Sequence, residues 1–123
     1  MGKHIVTIKN SKILIVDDKQ ENLELLTNIL EAENFEIAFS TNGEEAIKIA
    51  TLFQPQLILL DVMMPGIDGF ETCRRIKSLP DLSETPVIFV TGKSAISDIV
   101  EAFNVGGVDY VTKPIRHEEI IAR

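Results

Sequence analysis

The sequence is poor in cysteine, histidine and positive charge, and it has no long apolar run. A single cysteine, Cys73, excludes an internal disulfide. The two histidines, His4 and His117, stand apart on stretches that read as solvent-exposed surface, so imidazole ligation and histidine catalysis are not expected. Twelve Lys and Arg against nineteen Asp and Glu leave a formal net charge of −7 and a pI near 4.8. Recognition of a phosphate backbone needs clustered Lys and Arg, so direct nucleic acid binding is not expected either. The opening MGKHIVTIKN lacks the apolar stretch of a signal peptide, and no segment approaches the length that crosses a bilayer. A cytoplasmic chain with no membrane partner is the expectation. There is no internal repeat, low-complexity tract or linker.

What the chain does have is apolar residues in short, regular groups. At 123 residues, 45% hydrophobic and 25% charged, it is sized for one domain around one core. KILIV (12–16), FEIAF (35–39), LILL (57–60), PVIFV (86–90) and VDYVT (108–112) are brief β-branched or aromatic runs that read as five strands. Between them Leu23, Leu26 and Leu30, then Ala46, Ile47 and Ala50, then Phe70, Cys73 and Ile76, then Ile99, Val100 and Phe103 recur at helical spacing, predicting an apolar face on each of four helices. Cys73 is then a small core residue. Asp68 with Glu71, and Thr41 with Glu44, have the form of capping boxes, and Ser94 is placed to cap the fourth helix. A fifth helix from about His117 reads as cut short at Arg123.

Strands alternating with helices imply parallel pairing with helices on both faces, and a central strand such as LILL is then apolar on both sides. The expected class is α/β, a doubly wound five-stranded parallel sheet of order 2-1-3-4-5 over residues 12–123. Residues 1–11 form an N-terminal extension of undetermined role. Asp17 and Asp18 end the first strand, Asp61 the third, Thr91 the fourth and Lys113 the fifth. In such sheets ligands bind outside the carboxyl ends of the strands, at the switch point between the first and third. Three carboxylates there repel one another unless a cation intervenes. A hard divalent ion suits an all-oxygen set with no His or Cys nearby, and Mg2+ is typically held by one or two carboxylates plus phosphate oxygens. Lys113 would add a movable positive charge.

The acidic pair in ILIVDD, the acceptor in LILLDVMMPGIDG, the hydroxyl in VTG and the lysine in DYVTKP together resemble the receiver domain of two-component response regulators, over residues 12 to 120. The resemblance implies a flavodoxin-like fold and a phosphoaccepting signalling domain rather than an ordinary enzyme, its chemistry limited to self-catalysed phosphoryl acceptance and hydrolysis. Asp61 would be the phosphoacceptor, its carboxylate attacking a phosphoryl group in line to give an aspartyl phosphate. Asp18 would ligate Mg2+ directly, Asp17 partly through water, Asp61 would join them, and Met63 would offer its backbone carbonyl. Lys113 would pair with phosphate oxygens, and a cis Lys113–Pro114 bond would aim it inward. Thr91 and Tyr110 would form the switch that couples phosphorylation to the surface of helix four, strand five and helix five. Gly66 would supply the flexible backbone of the loop over Asp61. Met63 and Lys93 occupy positions that influence how long the acyl phosphate survives, and Gly107 stands where the family often has Ala. A histidine kinase or histidine phosphotransfer protein would be the donor, an effector domain or protein the recipient, and a homodimer on phosphorylation is compatible with the family.

Three other readings compete. A metal-dependent phosphohydrolase also uses an Asp nucleophile with Mg2+ at strand ends, but enzymes of the haloacid-dehalogenase type carry a second Asp two residues on, where this chain has Met63. A flavodoxin-type electron carrier would need a first loop that cradles a flavin phosphate, which Asp17 and Asp18 would repel. A receiver-like interaction module that is never phosphorylated would have no use for the full set Asp17, Asp18, Asp61, Thr91 and Lys113.

Overall fold

The computed structural model describes residues 11–92, 96–107 and 109–112. Strands β1 (Lys12–Val16), β2 (Glu36–Ser40), β3 (Leu57–Leu60), β4 (Val87–Thr91) and β5 (Asp109–Thr112) form one parallel sheet in the order β2-β1-β3-β4-β5. Helices α1 (Gln20–Glu31), α2 (Gly43–Phe53), α3 (Gly69–Lys77) and α4 (Ile96–Asn104) connect them, with a short 3₁₀ turn at Pro80–Leu82 before β4. The fifth helix, the Ser94 cap and the first ten residues lie outside the described residues.

The alternation of the strands sorts the core into two layers. Leu14, Val16, Ile58 and Leu60 face Ala46 and Ala50 of α2, Phe70, Cys73 and Ile76 of α3 and Ala102 of α4. Ile13, Ile15, Leu59, Ile88 and Val90 point the other way, where Leu23, Leu26 and Leu30 of α1 cover them. Successive strand side chains leave opposite faces, so LILL is apolar throughout because both of its faces are buried. The Phe70 and Phe89 rings meet at 5.4 Å in a tilted pair, fixing α3 against β4.

Two local expectations are corrected. Helix α2 is capped by Asn42 rather than Thr41: the Asn42 side chain accepts from the Glu45 N–H at 2.8 Å. The sequence carries the cap pattern in two adjacent registers, and the amide oxygen of Asn is at least as good a cap as a threonine hydroxyl. Among the described side chains of α4 the fully buried one is Ala102, followed by Val105 past the helix end; Ile99 is partly buried, while Val100 and Phe103 remain 51% and 49% exposed. The apolar stripe of this helix is wider than the strip it buries.

Candidate functional site

Register builds the site. Val16 of β1 pairs with Leu60 of β3, so the next residue on each strand, Asp17 and Asp61, come out side by side at the rim. The ladder runs one step further on each: the Asp61 N–H donates to the Val16 carbonyl at 2.9 Å, and the Asp17 N–H to the Ser40 carbonyl at 3.1 Å. Asp17 and Asp61 are buried, whereas Asp18 is exposed. Carboxylate oxygens of Asp17, Asp18 and Asp61 all lie within 4.8 Å of one another. The Lys19 N–H donates to Asp17 Oδ1 at 2.9 Å, holding that carboxylate in place at the entry to α1. Like charges this close repel by about 1 kcal/mol per pair in water and by several times that in a less polar rim. A donor set made only of hard carboxylate oxygens fits a hard divalent cation and offers nothing to a soft metal.

The loop after Asp61 closes on itself. The Gly69 N–H donates to the Val62 carbonyl at 2.8 Å, and Asp68 caps α3 by accepting from the Glu71 N–H at 2.8 Å. Gly66 takes a left-handed φ of 79°, the conformation the turn requires and glycine adopts without strain. Val62 and Met64 are buried, while Met63 is 61% exposed. With Asp18, Lys19 and Gly92 this loop lines an open cleft of about 640 Å³ that reaches Asp18 and Asp61.

Of the residues singled out from the sequence, Asp18, Asp61 and Met63 line this cleft, and the buried Asp17 joins Asp18 and Asp61 in the carboxylate cluster. Thr91 is the last residue of β4, and Tyr110 lies in β5 opposite Phe89. Lys113, Pro114 and Lys93 lie outside the described residues. Gly69 and Lys19 were not singled out. A methyl group on Gly69 would run into the Asp61 carbonyl oxygen and come within 2.7 Å of the Val62 Cα, so only glycine lets α3 start this close to the acidic rim. A glycine directly after a capping Asp is costly to a helix, and that cost was the available signal.

Residues 13–123 match the response regulator receiver domain family. The chain is 43% identical over 112 residues to the nisin biosynthesis regulatory protein NisR of Lactococcus lactis subsp. lactis, covering 91% of this chain and 48% of the relative. It is 39% identical over 114 residues to the response regulator PleD of Caulobacter vibrioides, covering 93% of this chain and 25% of the relative. It thus spans about half of one relative and a quarter of the other. Among solved structures, the chemotaxis protein CheY4 of Vibrio cholerae superposes with a TM-score of 0.88 at 25% identity, over 92% of this chain and 94% of that one.

Proposed function

The chain belongs to the response regulator receiver domain family, and from that premise we propose that Asp61 is its phosphoacceptor and that Asp17, Asp18 and Asp61 hold Mg2+, with the Met63 backbone carbonyl as a further ligand. The observation that carries this reading is the meeting of three carboxylates within 4.8 Å at the ends of β1 and β3. One Asp61 carboxylate oxygen forms the new bond to phosphorus in line as the bond from phosphorus to the donor's leaving atom breaks. Mg2+, when bound, neutralises charge on the phosphoryl oxygens. The ladder bond from the Asp61 N–H holds the nucleophile's backbone still, and Gly69 keeps the start of α3 close behind it.

Lys113 pairs with the phosphoryl oxygens and Thr91 hydrogen-bonds one of them. Tyr110 then reports the change to the surface of α4 and β5, where half-exposed Val100 and Phe103 are apolar groups available to a recipient. Receiver domains of this family work with histidine kinases and effector domains. By that relationship the donor here is a histidine kinase or histidine phosphotransfer protein.

The test is incubation with acetyl phosphate, with and without Mg2+, followed by intact mass of the wild type and Asp61→Asn. The expected result is a Mg2+-dependent gain of one phosphate in the wild type, lost in mild alkali and absent from the variant. A gain that survives in Asp61→Asn would move the acceptor elsewhere.

A further inference from the structure

The junction between β1 and α1 breaks a local rule. Lys19 is the N-cap of α1, in extended backbone at φ −101° and ψ 121°, and its side chain makes no capping hydrogen bond. Ser, Thr, Asp and Asn are favoured there because a side-chain oxygen can accept from the first free backbone N–H groups. A cation at that position also faces the positive end of the helix dipole. Helices α2 and α3 follow the rule, with Asn42 and Asp68 each accepting a backbone N–H at 2.8 Å. A residue that weakens its own helix is best explained by what else it meets.

What Lys19 meets is the cleft. It lines the opening beside Asp18 and Asp61, it is exposed, and among the described residues lining that opening it is the one cation. Its backbone is pinned there by the bond from its N–H to Asp17 Oδ1. A phosphodonor is an anion that must approach three carboxylates whose charge one divalent cation offsets only in part, and the remaining field opposes it.

We propose that the Lys19 ammonium is a docking charge for the incoming anionic phosphodonor, kept at the mouth of the Asp61 cleft although α1 would be more stable without it. The proposal rests on Asp61 being the phosphoacceptor. It predicts that stability and uptake move in opposite directions, which a purely structural lysine would not do.

The experiment compares wild type, Lys19→Asn and Lys19→Arg by thermal melting and by the rate of phosphate uptake from acetyl phosphate in Mg2+. Lys19→Asn, which installs a good cap, is expected to melt a few degrees higher yet take up phosphate roughly threefold to tenfold more slowly per unit donor concentration. Lys19→Arg is expected to keep the wild-type uptake rate. Raising the salt to about 0.5 M should narrow the difference between Lys19→Asn and wild type, since an exposed charge is screened. Wild-type uptake by Lys19→Asn, or a loss that salt does not change, would overturn the docking role while leaving Asp61 as acceptor. No uptake by the wild type itself would overturn both readings together.

Discussion

At the scale of single residues, burial decides what each reactive group can do. Cys73 is fully buried, its thiol 3.3 Å from the Val105 carbonyl oxygen, and burial pushes its pKa up to about 11 against the opposing pull of Lys77 and Arg74. The fold therefore favours the protonated thiol. That contribution to stability is complete below the ordinary thiol value near 9 and is lost as pH rises from there through about 11. At pH 8 the native protein should not react with a thiol-specific disulfide reagent, while the same protein in urea should release one equivalent of chromophore. Fast reaction of the native form would mean that the α3 face opens readily. Glu71 shows the reverse sign: hydrogen bonds from Arg75 and Arg74 hold its carboxyl below the usual range. Its contribution is present above the unfolded-state value and fades as pH falls, and it is small because the pairs are exposed.

At the scale of elements, helix ends carry the testable differences. Asp68→Ala and Asn42→Ala each remove a side chain that accepts a helix N–H and should each cost about 1 kcal/mol in urea unfolding, whereas Thr41→Ala should stay within about 0.5 kcal/mol. Equal losses at 41 and 42 would contradict the observed cap. These cases also mark how far the sequence could be read. The Asp68 box was legible because Asp, Glu and the following apolar run agree on one register. At Thr41 and Asn42 two registers compete, and the winner depends on Gly43, whose missing side chain lets α2 start against Ile67 and Thr72. On α4, periodicity marked Val100 and Phe103 as apolar but could not say that the core would take Ala102 and Val105 and leave those two exposed. A stripe shows which side of a helix is apolar, and the area of the neighbouring layer sets how much of it is covered.

At the scale of the whole molecule, two apolar layers share one sheet, and the acidic rim lies at the carboxyl ends of its central strands. If Mg2+ binds the folded protein and not the unfolded chain, adding it should raise the melting temperature, by about 2.7 kcal/mol of stabilisation at a hundred times its dissociation constant. Asp18→Asn should abolish most of that gain and, without Mg2+, melt no lower than the wild type because one repulsive charge is gone. A Mg2+ response that survives Asp18→Asn would argue for other ligands. The acidic rim was legible in the sequence because Asp17, Asp18 and Asp61 each follow an apolar strand run, a pattern that survives without knowing any distance. Lys19 and Gly69 were not, since their roles depend on what a neighbouring loop does in three dimensions.

The pairing of Val16 with Leu60 has a consequence for how such a chain can change in length. Asp17 and Asp61 meet because each follows the paired residues by one peptide unit, and a strand advances about 3.3 Å and reverses its side-chain direction with every residue. Losing or gaining one residue inside β1 or β3 would turn a carboxylate to the wrong face. The same insertion in the turn at 32–35 or at 54–56 would renumber everything after it and leave the meeting of the two aspartates untouched. Length variation is thus forbidden in nine strand residues, Lys12–Val16 and Leu57–Leu60, and tolerable in the connections between them.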